Sequence, residues 1–216
     1  QIAEKQHIKL FDCYTGFKWI ATVMRENEGK AHYLGGGEES YGFLAEDFVR
    51  DKDSVSAISL MAEIAAWAKD KNMTMNDMLI DVYMTYGYSK ERGISVVRKG
   101  KSGAEEIQAM MKNFRENPIK EIAGSPVVKI KDYDSLEEKD LASGTVTKLV
   151  MPVTSNVLQY YTADGTKVSI RPSGTEPKIK FYLELHDKLE CAADYDAKNE
   201  WADKKLDQIA KDLGIA

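Results

Sequence analysis

Cysteine is almost missing from this sequence: two in 216 residues, Cys13 and Cys191, far apart and forming no C-x-x-C. That spacing excludes a redox motif, and each is expected to be a buried or incidental thiol. Long apolar runs are missing too. No stretch approaches the roughly 20 apolar residues that a helical membrane span requires. The opening "QIAEKQHIKL" has no charged-then-apolar leader pattern, so a reducing, cytoplasmic setting is expected. There is no excess of positive charge either. The formal net charge is -5, which argues against a nucleic-acid or anionic-membrane partner. The three histidines, His7, His32 and His186, sit in strand or helix-edge contexts and are read as structural.

What is present is ordinary globular material, 43% hydrophobic and 30% charged, long enough for one large domain or two small ones. From residue 8 to 86, strands and helices are expected to alternate, as in an α/β layer structure. "IKLFDC" and "AHYL" read as strands, and "GFKWIATVMREN" as a helix with Trp19, Ile20, Val23 and Met24 at helical spacing. Val55, Ile58, Met61, Ala62, Ala65 and Ala68 mark one apolar face of a long helix. Thr74-Met-Asn-Asp77 fits a capping box opening another helix, stopped by Gly87.

Around residues 87 to 102, glycines punctuate a polar stretch that is expected to join two domains, with "GISVVRK" its one candidate strand. Gly87, Gly93 and Gly100 are candidate hinges. Ser102-Gly-Ala-Glu105 reads as a second capping box, ahead of the stripe Ile107, Met110, Met111 and Phe114. After Pro118 come mostly strands: "PVVKI", "TVTKLV", "NVLQYYT", "KVSI" and "KIKFYLEL". Asp164-Gly165 signals a hairpin. In the last strand Ile179, Phe181, Leu183 and Leu185 alternate with Lys178, Lys180, Tyr182 and Glu184, as in an antiparallel sheet with one solvated face. The closing helix carries Trp201, Leu206, Ile209 and Leu213. The expected fold is thus α/β: a partial α/β/α layered domain over residues 1–87, then an α+β domain over 88–216 whose mainly antiparallel sheet is covered by helices.

Two loops stand out. Arg171-Pro-Ser-Gly-Thr-Glu-Pro177 sets an arginine fork, which can bind two oxygens of a phosphate, before two hydroxyls, Ser173 and Thr175. Gly174 lets backbone N–H groups approach an anion, and the flanking prolines stiffen both exits. The same residue types also serve a plain turn. Gly35-Gly-Gly-Glu-Glu-Ser-Tyr-Gly42 is glycine-rich without a following Gly-Lys-Ser/Thr, and its adjacent carboxylates suit hydroxyls rather than phosphate. It could equally be a turn leading into an acidic helix start. A hydroxyl-binding loop and a phosphate-binding loop together describe a phosphosugar.

The segments "TGFKW" at 15–19, "GGGEESYG" at 35–42, "FVRDKDSV" at 48–55 and "RPSGTEP" at 171–177 follow the order seen in α-D-phosphohexomutases. The chain resembles the C-terminal half of a phosphoglucomutase/phosphomannomutase over nearly its whole length. The resemblance implies that Glu38 and Ser40 bind the 3- and 4-hydroxyls of the sugar, and that Arg171, Ser173, Gly174 and Thr175 bind phosphate. It also places Thr15 and Gly16 on a substrate-facing loop and Lys52 as a basic residue near the site, counted with the phosphate binders. Tyr41-Gly42 after Ser40 is similar to phosphoglucomutases, so glucose phosphate leads, then mannose, then a pentose phosphate.

The family's phosphoserine run and its Asp-x-Asp-x-Asp loop for Mg²⁺ are not in this sequence. The implied partners are therefore a hexose phosphate and N-terminal domains of the same polypeptide. Mg²⁺ would be bound outside this chain, and glucose 1,6-bisphosphate would be the activator and intermediate. The start at Gln1, which reads like the tail of a helix, agrees with a piece of something longer. A non-catalytic phosphosugar-binding module and a purely structural fragment are the rival readings.

Overall fold

The computed structural model describes all 216 residues apart from Glu39, Ser40, Lys99, Thr175 and the side chain of Lys101. The chain divides into two compact units, Gln1–Tyr86 and Gly87–Ala216.

The first unit comprises α1 (Ile2–Lys5), α2 (Phe17–Glu26), β1 (Gly35–Gly37), β2 (Phe43–Ala45), α3 (Ser54–Asp70) and α4 (Met75–Tyr86). β1 and β2 form an antiparallel hairpin, Gly36 opposite Leu44. A Cβ on Gly36 would lie 2.6 Å from the Tyr33 hydroxyl, so any larger residue there would have to move that ring. Phe17, Met24 and Leu44 form the core beneath it, with Ile20 and Tyr33 packed alongside. Asp53 caps α3 by accepting from the Ser56 N–H at 2.8 Å. The expected capping box of α4 forms: Thr74 Oγ1 donates to Asp77 at 2.7 Å, and the Asp77 N–H donates back to Thr74 Oγ1 at 3.1 Å.

Two expectations fail in this unit. Residues 8–13 form no strand, since among the described residues no segment pairs with them. Leu10 and Phe11 stay exposed there. Residues 31–34 are not a strand either; pairing starts at Gly35, because its partner turns away at Glu46 (φ 62°). The α3 stripe is present but open, with Val55 and Ile58 at 72% and 70% exposure and only Ala68 buried.

The second unit is built on one sheet. Its strands are β3 (Tyr88–Val97), β4 (Glu121–Ile122), β5 (Ser125–Asp132), β6 (Glu137–Asp140), β7 (Val146–Lys148), β8 (Leu158–Thr162), β9 (Lys167–Pro172) and β10 (Lys178–Asp187). They run antiparallel in the order β3-β10-β9-β8-β5-β6-β7, with β4 paired to β5. Helices α5 (Gly100–Glu116) and α6 (Tyr195–Asp212) cover one face. Ile179, Phe181, Leu183 and Leu185 are buried against them, as the alternation requires. Phe114 of α5 meets Phe181 edge-on at 6.0 Å, and Tyr160 of β8 donates to the Phe114 carbonyl at 2.6 Å. Burial pushes the Tyr160 hydroxyl pKa far up, which keeps it a neutral donor. From α6, Asp203 and Asp207 pair with Lys90 and Arg92 of β3.

Here too the sequence misleads in places. The stretch 88–97 is no connector but a ten-residue strand of the sheet, and Gly93 lies inside it rather than at a hinge. α5 begins at Gly100 (φ 79°), so Ser102 sits within its first turn and is not its cap. Within that turn Gly103 lies against the Arg98 backbone, where a Cβ would come within 2.4 Å of the carbonyl oxygen. Trp201 is 38% exposed on α6, its ring flanked by the Lys198 and Lys205 ammoniums at 4.9 and 5.3 Å.

Candidate functional site

In the first unit the acidic loop is the tip of the β1–β2 hairpin. The Glu38 N–H donates to the Gly42 carbonyl at 2.8 Å, folding the tip back on itself. Gly42 has no side chain, and its place is taken by two neighbours: a Cβ there would lie 3.2 Å from both Glu38 Oε2 and Lys52 Cδ. Lys52 Nζ pairs with Asp51 at 3.0 Å and lies 5.8 Å from the Phe17 ring centroid. Phe17 follows Gly16, whose φ of 114° opens α2. Burial, then Asp12 and then Glu38 raise the pKa of the Cys13 thiol. Glu38 and Lys52 both flank Gly42, and Lys52 also approaches Phe17, the residue after Gly16. Ser40 lies outside the described residues.

Tyr41 is held at φ 67°, sparsely populated for a residue with a side chain, and its ring is fully exposed. A cavity of about 520 Å³ beside it is lined by Tyr41, Phe43, Lys52, Asp53, Ile58 and Met61 among others.

In the second unit the basic loop joins β9 to β10. The Ser173 N–H donates to the Lys178 carbonyl at 2.8 Å, and the Glu176 N–H donates to Ser173 Oγ at 3.3 Å. The Arg98 N–H, at the end of β3, donates to the Pro177 carbonyl at 2.9 Å. The loop is therefore braced from below by two strands. Arg171 stands directly opposite Lys180 across β9 and β10, on the face away from the helices. Gly174 has an ordinary φ, and a Cβ on it would meet nothing within 4 Å. Thr175 lies outside the described residues.

Arg171, Ser173 and Gly174 lie together at this loop, and Lys178 and Lys180, which the sequence reading did not single out, follow on β10. Their signal was the β10 alternation, which places both on the solvated face, but only the hairpin register sets Lys180 beside Arg171. Lys52 belongs to the acidic hairpin of the first unit rather than to this loop. Among the described residues no group of three or more His, Cys, Asp or Glu side chains could hold a metal ion. His32 approaches Glu46 at 3.5 Å, both exposed. No described helix is long and apolar enough to cross a membrane.

The profile of "Phosphoglucomutase/phosphomannomutase, alpha/beta/alpha domain III" matches residues 1–86, and that of the "Phosphoglucomutase/phosphomannomutase, C-terminal domain" matches residues 94–200. The chain belongs to the phosphoglucomutase/phosphomannomutase family. It is 34% identical over 186 residues to a phosphoglucomutase of Staphylococcus haemolyticus, covering 86% of this chain and 34% of that protein. It is 38% identical over 184 residues to one of Staphylococcus aureus, covering 85% and 33%. The chain thus spans about a third of the length of the curated relatives it matches. The crystal structure of pp63/parafusin from Paramecium, titled a phosphoglucomutase in an open form, shares the fold with a TM-score of 0.56 and 22% identity, over 99% of this chain and 36% of that one.

Proposed function

We propose that this chain is the substrate-recognition half of an enzyme interconverting hexose 1-phosphate and hexose 6-phosphate, with glucose the preferred sugar and mannose next. Residues 1–87 would supply the sugar contacts, Glu38 and Ser40, with Thr15 and Gly16 beside them. Residues 88–216 would supply the phosphate contacts, Arg171, Ser173, Gly174 and Thr175, extended by Lys180. The observation that carries the reading is Gly174. The loop's own geometry does not require glycine there, since its φ is ordinary and the space for a Cβ is empty. Glycine is common in turns, and at this position it also leaves the backbone N–H groups open to close approach by a phosphate.

Each contact has a distinct task. The guanidinium fork fixes the non-reacting phosphate bidentately, and the Lys180 ammonium adds charge without orientation. An ionised Glu38 accepts from sugar hydroxyls, which tolerates a ligand presenting either end to the chemistry. Positioning of this kind contributes by alignment rather than by bond making. The phosphoserine and Mg²⁺ that the family resemblance implies would lie outside this chain, which spans about a third of its relatives' length.

The test has two arms. Glucose 6-phosphate titrated into this chain should bind saturably, and Arg171→Ala should abolish that binding. A coupled assay of the pure chain with glucose 1-phosphate, Mg²⁺ and glucose 1,6-bisphosphate should show no turnover. Equal binding by the alanine variant would remove the phosphate reading, and turnover above the blank would remove the division of labour.

A further inference from the structure

The phosphate loop contains a carboxylate of its own. Glu176 lies three residues after Ser173, and its side chain pairs with the Lys178 ammonium. Its pKa is lowered by the hydrogen bond from Lys178 and by the charges of Lys178 and Lys180, so it is an anion at neutral pH. Lys178 and Lys180 are both on the strand face that carries Arg171, opposite the buried Ile179 and Phe181. The backbone holds this arrangement short: the Lys178 N–H donates to the Glu176 carbonyl at 2.7 Å, while the Glu176 N–H donates to Ser173 Oγ at 3.3 Å.

We propose that Glu176 is an internal competitor for the phosphate site, occupying Lys178 until a phosphate takes that ammonium over. The proposal rests on the reading of this loop as a phosphate cradle, and it assigns Lys178 as a further phosphate contact and Glu176 as the residue that sets the loop's affinity. A carboxylate beside a dianion raises the energy of the bound state unless the ammonium between them serves both. The phosphate must therefore displace or share an existing partner, and the grip is weaker than the cation count suggests. For a loop that must release one phosphate and accept another, a moderated grip speeds exchange, since affinity within one interface is mostly set by the off-rate. If Glu176 merely braces the turn, removing its charge loosens the loop and weakens binding. The competitor role has the opposite sign.

The experiment is an NMR titration of this chain with inorganic phosphate at pH 7.5 and constant ionic strength. Glu176→Gln should bind about two- to fivefold more tightly than the wild type, the range an exposed ion pair supplies. Lys178→Met should bind more weakly, and adding Glu176→Gln to Lys178→Met should recover less than the gain seen alone, because the competition runs through the ammonium. Unchanged or weaker binding by Glu176→Gln, with Arg171→Ala still abolishing binding, overturns the proposal and leaves the cradle intact. Wild-type binding that Arg171→Ala does not affect overturns the cradle and the competitor together.

Discussion

Lys205 of α6 donates to Asp164 at 2.6 Å, tying the C-terminal helix to the turn between β8 and β9. Asp164 also accepts from Thr162 Oγ1 at 2.6 Å, Thr166 Oγ1 at 2.9 Å and the Thr166 N–H at 3.1 Å. Partial burial works against its charge, yet Lys205, Thr162 and Thr166 together outweigh that and hold the carboxyl well below the usual aspartate range. A group whose folded pKa is depressed stabilises the fold above its unfolded value, and loses that contribution as pH falls through the folded one. Asp164→Asn should therefore cost stability at pH 7. We expect about 1–2 kcal/mol, kept at the low end of charged hydrogen bonds because the side chain is 38% exposed and solvent screens it. The gap from wild type should close as pH drops below about 3.9. Urea melts at pH 7 and pH 3 measure it; an equal gap at both would mean that the charge is not responsible.

Gly174→Ala separates fold from ligand. With empty space for the added methyl and an ordinary φ, the melting temperature should change by no more than a degree or two. Phosphate affinity should fall about tenfold if backbone N–H groups must touch the anion, the worth of one charge-assisted hydrogen bond. Thermal melts and a phosphate titration on one sample decide it. Unchanged affinity would make Gly174 an ordinary loop residue.

Arg171→Lys keeps the charge and loses the fork. In a full-length mutase carrying this sequence as its C-terminal half, kcat/KM should fall about ten- to a hundredfold, the equivalent of one hydrogen bond to a charged group. The loss should be alike for glucose and mannose phosphates, since the contact is to phosphate. Normal kcat/KM with a lowered melting temperature would mean that Arg171 only braces the hairpin.

Glu38→Gln should act differently, changing the choice among sugars more than the affinity for phosphate. A neutral amide still accepts a hydrogen bond but without charge assistance, a difference of about 1 kcal/mol. The ratio of kcat/KM for glucose and galactose phosphates is the readout, and an unaltered ratio would count against hydroxyl recognition.

Much of the second unit was legible because its elements carry their own local signals. The alternation of Ile179, Phe181, Leu183 and Leu185, the Asp164-Gly165 turn and the stripe ending at Phe114 each identify an element before any tertiary contact exists. Strand β6, Glu137–Asp140, has no apolar side chain to betray it and is held by pairing with β5 and β7 and by ion pairs from Lys131 and Lys129 to Glu138. β3 was read short because Gly93 looks like punctuation, yet its backbone ladder to β10 runs unbroken past it. In the first unit, apolar runs at residues 8–13 and 31–34 have strand composition but not a strand's partners. Of the two loops, the residue types were visible in sequence. The register that adds Lys180 to Arg171, and the ion pair within the loop, are properties of the folded hairpin.

Among the described residues the first unit buries only Phe17, Met24, Leu44 and Ala68 of its apolar side chains, while strands β8, β9 and β10 of the second unit alone bury Leu158, Tyr160, Val168, Ile170, Ile179, Phe181, Leu183 and Leu185. Folding cooperativity follows buried apolar area, so the two units should not melt together. Calorimetry should resolve a broad, low-enthalpy transition for residues 1–86 ahead of a sharp one for the sheet. Amides of α3 should exchange with solvent long before those of β9 and β10. The loop expected to hold phosphate thus sits on the unit that stays folded longer, and the loop expected to read the sugar sits on the one that opens first.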